Sequence, residues 1–378
     1  VLTVTQKKHG ETNLAHDTIW MTGVYLPESG KSIVCRSKEQ LVAALRGINT
    51  IVGHNLLGFD MPVLKEVWDY EWNSSIMDTL VLGRLLDPSI DGGHSLREWA
   101  KRAGGSLKDD FNVEDFDKGL TDEMIHYCLQ DCKANWDVYL HITALLQEGK
   151  YSFKSVDIEH TVRHHTTTQE RNGFMLDWQR ACNLYTEHTE RMDVISSTLQ
   201  EVFPPITTRR WSEKTGKELK PSVEVFNVGS RQQVAKRLEA KGAVWKRRTP
   251  TGKPVVDEPA LKDNEHIPEA VLVLEYMTLQ KRSGMLKSWI DNVAEDGRIH
   301  GRVNTNGAVT GRMTHSSPNL AQIPSDKEYR ECFVVPEGSK LVGVDASGLE
   351  LRMLAHYMND PEYTDLILHG DIHTHNQQ

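Results

Sequence analysis

Short apolar runs alternate with helical periodicities through the first 150 residues. Residues 18–25 read as a strand, and residues 50–55 as a short strand running into a turn. Residues 40–45, 61–68, 78–86 and 121–146 carry apolar positions at helical spacing. Such alternation predicts an α/β domain. From residue 157 to 203 the pattern becomes long and helical, with a break at Asn172-Gly173. Leu184, His188, Met192, Ile195, Leu199 and Val202 recur every three or four residues and form one stripe for a core. Asp177 stands where an N-cap is needed. Residues 207–222 are polar and Lys-rich and read as an exposed loop. Ser230-Arg231-Gln232-Gln233 has capping-box spacing ahead of a helix to about residue 241. Another helix is expected over 268–292, then strands and turns from Arg298. Leu341-Val342-Gly343-Val344 reads as a buried strand ending in Asp345, with a helix from about Ser347.

A length of 378 residues predicts two or three domains. Charged residues make up 26% and hydrophobic residues 38%, the usage of an ordinary globular protein. No run of eighteen apolar residues occurs, so no membrane span or membrane partner is expected. Residues 1–10 are too polar for a secretory signal. Five scattered cysteines fit a reducing cytoplasm. Cys128 and Cys132 lie one helical turn apart; a zinc site would need two further ligands, so reduced, partly buried thiols are expected. The net charge of −9 excludes a uniformly basic coat, but a local stripe of Lys and Arg suffices for nucleic acid. The chain begins with Val and stops at Gln378 within a helical pattern, so a part of a longer protein is expected.

Asp345 is the first candidate for chemistry. A carboxylate at a strand end sits where a sheet opens to solvent, and hard cations such as Mg²⁺ take oxygen ligands. The same residue could cap the helix that follows. Two neighbouring blocks bear on the choice: Thr310-Gly311-Arg312-Met313-Thr314-His315-Ser316-Ser317-Pro318-Asn319-Leu320-Ala321-Gln322-Ile323-Pro324, and Gly370-Asp371-Ile372-His373-Thr374. With Asp345-Ala346-Ser347-Gly348-Leu349-Glu350-Leu351-Arg352, and in this order, they resemble the palm of family A DNA polymerases. The form is that of the replicative enzymes of short-tailed bacteriophages.

The resemblance spans essentially the whole chain. It implies a mixed α/β fold: a ribonuclease-H-like 3′–5′ exonuclease-type domain over 1–150, a largely helical thumb over 151–296, and the start of the palm over 297–378. It also implies Mg²⁺ as cofactor, with primer-template DNA and deoxynucleoside triphosphates as partners. Asp345 and the Ala346 carbonyl would hold the metal, Glu350 would crowd the 2′ position of the incoming sugar, and His373 would donate to its phosphates. Arg312, Asn319 and Gln322 would face the minor groove, where acceptors are shared by all base pairs. Lys281 and Arg282 would touch the duplex backbone. For Asn319 and Gln322, turn hydrogen bonds are an equal reading; for Lys281 and Arg282, a solvated helix face. His369, His373 and His375 lack the further ligands of a zinc site. The fingers helix and second palm carboxylate of the family do not follow Gln378, which leaves a separately encoded or missing C-terminal half as a possible partner. The stretch around 203–226 is short, which argues against a thioredoxin clamp of the phage type.

In the first domain, His54-Asn55-Leu56-Leu57-Gly58-Phe59-Asp60, Met77-Asp78-Thr79-Leu80 and Tyr127-Cys128-Leu129-Gln130-Asp131 resemble the second and third blocks of a 3′–5′ proofreading exonuclease, in which Asp60, Asp131 and Tyr127 match site residues. Asp60 and Asp131 supply two of four metal-binding carboxylates. Tyr127, four residues before Asp131 on one helix face, matches the group that orients the attacking water. Thr5 and Lys7 stand where the first strand should carry Asp and Glu. An ammonium beside cation positions repels the metal, so this domain is expected to fold and to be nearly inactive. Two rivals stay open, a stand-alone 3′–5′ exonuclease and a non-catalytic primer-template module.

Overall fold

The computed structural model describes residues 2–8, 16–105, 120–211 and 214–370, with backbone only for 2–8, 16 and 17. The chain divides into two units, 1–333 and 334–378.

The larger unit opens with three antiparallel strands, β1 (Leu2–Lys8), β2 (His16–Leu26) and β3 (Lys31–Cys35), in the order β1-β2-β3. Helix α1 (Lys38–Ala44) leads to β4 (Thr50–Gly53), α2 (Met61–Trp68), β5 (Ser75–Asp78) and α3 (Thr79–Leu86). Strands β4 and β5 pair in parallel, as a strand–helix–strand crossover requires. Strand β1 packs beside β4, so the two small sheets adjoin along that edge. Helix α4 (Leu96–Arg102) and the long α5 (Asp122–Glu148) complete this region. Trp99 is wholly buried, and a Cβ at Gly83 would come within 2.7 Å of its indole nitrogen, so α3 and α4 meet only because residue 83 is glycine. Gly23 acts likewise: a Cβ there would lie 2.9 Å from the Cys128 sulfur on α5.

Helix α6 (Phe153–Asn172), strand β6 (Phe174–Leu176) and helix α7 (Trp178–Val202) follow, with the expected break at Gly173, whose φ is +60°. Asp177 caps α7 by accepting from the Arg180 N–H at 3.0 Å. Of the expected stripe, Leu184, His188, Ile195 and Leu199 are buried; Val202, in the last turn, is exposed. The expected loop over 207–222 is instead a hairpin, β7 (Ile206–Trp211) with β8 (Glu218–Glu224), and nearly every residue in it is exposed. A two-stranded ribbon held by its backbone ladder needs no apolar face, so hydrophobic periodicity carried no sign of it. Helix α8 (Arg231–Glu239) starts on Ser230; Gln233 reaches past the cap to accept from the Asn227 N–H at 2.7 Å. Helices α9 (Glu258–Lys262) and α10 (Pro268–Asp291) come next, and α10 packs along α7. Their shared core holds Ile195, Leu199, Phe226, Val234, Leu238 and Val273. Strand β9 (Arg298–Ile299) pairs with β6, and β10 (Arg302–Asn304) pairs with β11 (Thr314–Ser316). A short α11 (Lys327–Arg330) packs Tyr329 near Trp289 and Leu184.

In the smaller unit, α12 (Leu349–Met358) and α13 (Pro361–His369) pack on each other. The expected buried strand before Asp345 is not formed. Residues 341–346 have no assigned secondary structure, and Leu341, Val342 and Val344 are 64%, 77% and 94% exposed. A strand is stable only when its backbone N–H and C=O groups find a neighbour, and none of the described residues supplies one here.

Candidate functional sites

The turn at 54–60 is organised by Asp78. Its carboxylate accepts from the N–H groups of Asn55 at 2.8 Å, Leu57 at 3.0 Å and Leu80 at 3.0 Å. One buried side chain therefore ties β4, the following turn and the start of α3 together. The Asp78 N–H donates to His160 Nε2 at 2.8 Å, while His160 Nδ1 donates to the Val156 carbonyl at 2.8 Å. That pair of contacts fixes one neutral tautomer and couples α6 to β5. Asn55 adopts the left-handed conformation with φ +57°, which Asn tolerates better than most residues.

Asp60 closes this turn and is 5% exposed. Asp131 sits on α5, one turn beyond the half-buried Tyr127. Strand β1 packs against both the 56–60 turn and α5. The backbone thus sets the strand that bears Thr5 and Lys7 between the elements that bear Asp60 and Asp131. Burial pushes the Asp131 carboxyl up to about 7, with Arg97 pulling weakly the other way. Its Oδ1 is buried without a hydrogen-bond partner. Desolvation without compensation disfavours the charged form, so this group is partly protonated at neutral pH.

These residues do not by themselves fit a two-cation centre. Among the described residues no three His, Cys, Asp or Glu side chains converge as a metal site. Cys128 and Cys132 are buried against β2, and the Cys132 thiol donates to the Gly23 carbonyl at 3.4 Å. Both are buried more deeply than the partial burial expected of them.

The β10–β11 hairpin presents Arg312. Its loop is closed by the Ala308 N–H to the Arg312 carbonyl at 3.0 Å, and Gly311 takes φ +75°. A Cβ at Gly307 would collide with the Thr314 side chain, so that glycine admits Thr314 rather than leaving open space. Arg312 is exposed. Asn319 spends its side-chain oxygen on the Ala321 N–H at 3.0 Å, capping the 3₁₀ turn Leu320–Gln322. Gln322 is exposed. On α10, Arg282 pairs with Asp326 at 2.9 Å and lies 4.9 Å from the centre of the Tyr329 ring, whereas Lys281 projects exposed and unpaired. Tyr329 in turn meets His188 Nε2 at 3.3 Å, and burial lowers the basicity of that imidazole.

In the smaller unit, Asp345 and Ala346 lie exposed on the unpaired segment. Glu350 occupies the first turn of α12, which begins after Gly348 at φ +58°. Arg352 donates to the Ser347 carbonyl at 2.9 Å and so fastens this start. His373 and His375 lie outside the described residues. Sequence reasoning gave Asp78, Arg84 and Arg163 no role. Asp78 and Arg163 act through His160 and Val303, far along the chain, and no local spacing marks such contacts.

The fold is a mixed α/β one, similar to that of a polymerase domain. The chain matches, at a TM-score of 0.72 and 18% identity, the polymerase domain of Pol1 from M. smegmatis in complex with DNA primer-template and dNTP, covering 94% of this chain and 59% of that one. Residues 207–378 match the model for DNA polymerase family A. The DNA-directed DNA polymerases of Enterobacteria phage T3 and Escherichia phage T7 are 31% and 32% identical, over 90% and 86% of this chain and 66% and 65% of theirs. DNA polymerase I of Pseudomonas aeruginosa is 26% identical over 88% of this chain and 34% of its own length. This chain belongs to DNA polymerase family A and is homologous to the phage enzymes, of whose length it spans about two thirds.

Proposed function

We propose that the chain is the exonuclease-type domain, thumb and beginning of the palm of a phage-type replicative DNA polymerase, with boundaries near residues 150 and 296. The observation that carries this reading is the similarity to phage DNA-directed DNA polymerases, which takes in nine-tenths of the chain. The strands support the ribonuclease-H-like reading: β3, β2, β1, β4 and β5 follow one another in space, with β4 and β5 parallel. Primer-template DNA and deoxynucleoside triphosphates are the partners.

In the complete enzyme Mg²⁺ would supply electrostatic stabilisation at the reacting phosphate. Asp345 alone does not make a two-ion site, and its partner carboxylate has to come from outside the described residues. This chain contributes binding and positioning. Lys281 and Arg312 are exposed cations suited to a duplex and its sugar edges. Asn319 spends its side-chain oxygen on its own turn, which leaves its amide N–H groups, with Arg312 and Gln322, to meet minor-groove acceptors. Arg282 acts as a strut between α10 and α11. Glu350 is the sugar gate and His373 a phosphate donor.

The exonuclease-type domain is a scaffold without effective nuclease activity, because Thr5 and Lys7 replace acidic ligands and Asp131 is left half-neutral. Fluorescence anisotropy with a recessed primer-template and a blunt duplex tests the binding role. The recessed substrate should bind more tightly, and Arg312→Ala should weaken it several-fold. Equal affinity for both DNAs, untouched by that change, would refute it. A 3′-labelled single strand with Mg²⁺ tests the nuclease claim, and Asp131-dependent shortening would overturn it.

A further inference from the structure

A cleft of about 720 Å³ runs between the 55–62 turn, α3, α6 and the segment 291–304 of the larger unit. Its charges do not balance. Arg163 is held by Glu170 at 3.2 Å and also donates to the Val303 carbonyl at 3.1 Å. Arg171 pairs with Glu66 at 2.7 Å, and Asp291 pairs with Lys287 at 2.9 Å. Both lining carboxylates, Glu170 and Asp291, are therefore engaged. Arg84 and Arg302 remain, and neither guanidinium has a hydrogen bond or ion pair among the described residues. Arg302 reaches the cleft from β10, and Arg84 from α3, one turn beyond Leu80.

Arg84 is the informative one. It is half-buried, and both its burial and the neighbouring Arg163 weaken its hold on its proton; Asp78 and Glu170 offset this only in part. The Asp78 oxygens are already taken by three backbone N–H groups. A desolvated cation beside a second cation, facing a solvent-filled cleft, is destabilising unless an anion joins it. Two geometric features keep the arrangement in place. Gly58 leaves room for the Arg163 guanidinium, which any Cβ there would strike. Glu170 also accepts from the Val303 N–H at 2.6 Å, which pins β10 and with it Arg302 to α6.

We propose that this cleft is a phosphate-binding site, with Arg84 and Arg302 as its ligands and Arg163 as a fixed positive wall. Guanidinium forks match phosphate oxygens in geometry and stay charged. The phosphate has two sources, a free phosphate or pyrophosphate ion and a phosphodiester of a nucleic-acid strand. The strand source rests on the polymerase reading above, whereas the anion site does not.

Thermal unfolding and calorimetry of the 378-residue chain with inorganic phosphate, against chloride at matched ionic strength, test the proposal. Wild type should show saturable, phosphate-specific stabilisation. Arg84→Gln and Arg302→Gln should each weaken phosphate binding about tenfold, and Arg84→Lys should recover part of it. Without phosphate, Arg84→Gln should melt at or above the wild-type temperature, because it removes an uncompensated charge. That readout separates loss of the ligand from loss of the fold. Lys262→Gln, on α9 and paired with Glu258, serves as the control and should leave phosphate binding unchanged. Displacement of phosphate by an eight-nucleotide thymidine strand lacking terminal phosphates identifies the strand as source, and phosphate binding without displacement identifies the free ion. Phosphate no better than chloride, or equal weakening by Lys262→Gln, overturns the site. Either result leaves primer-template binding through Arg312 untouched.

Discussion

At the residue scale, Asp131 shows how chain spacing and burial carry different information. The Tyr127–Asp131 spacing was legible because four residues are one helical turn. The state of the carboxyl was not, since it depends on how α5 meets β1 and β2. With the folded value near 7 and the ordinary value 3.8, the folded state holds this proton more tightly than the unfolded one. The associated stability is present below about pH 4 and is lost as pH rises through 7. Asp131→Asn should therefore gain on wild type across that window, by on the order of 2–4 kcal/mol above pH 7. Urea unfolding at pH 4.5 and pH 8 measures it; a constant difference between the two enzymes would contradict the assignment. Millimolar Mg²⁺ should leave the gap in place if, as proposed, Thr5 and Lys7 stand in for acidic ligands. Asp78 was passed over in the sequence, since its importance lies in bonds to Asn55, Leu57 and His160. Asp78→Ala strips three N–H groups of their acceptor and should cost about 3 kcal/mol or more. Chemical denaturation checks this, and a loss below 1 kcal/mol would mean that water replaces the carboxylate.

At the scale of elements, helices announced themselves and strands did so only when buried. Helix α2 falls where its apolar spacing put it, and α10 ends one residue short of expectation. Asp177 and Ser230 cap as their side chains allow. The hairpin β7–β8 was hidden because its residues face water on both sides. Residues 341–344 failed the opposite way: their composition is that of a buried strand, but no neighbour among the described residues pairs with them. Hydrogen exchange distinguishes the two segments. Amides of 341–346 should exchange near the unprotected rate in this chain, while the buried turns of α10 are protected by several orders of magnitude. Strong protection over 341–346 would show that the segment already has a partner.

For the whole molecule, the ordered similarity to phage enzymes and the polymerase-like fold make nucleotidyl transfer the central claim. The family and the mixed α/β character could be read along the chain, because the blocks that carry them are runs of contiguous residues. The phosphate cleft could not, since Arg84, Arg163 and Arg302 come from stretches of chain more than seventy residues apart. The most direct measurement is single-turnover primer extension by a completed enzyme, this chain joined to a family A fingers and palm remainder, with Asp345 intact or replaced by Asn. Folding is checked beforehand by primer-template affinity, which should not change. The expected result is a drop in the extension rate of at least about a thousandfold for Asp345→Asn, the scale of losing a metal-holding carboxylate. Extension at an undiminished rate by the Asn variant would contradict the claim outright.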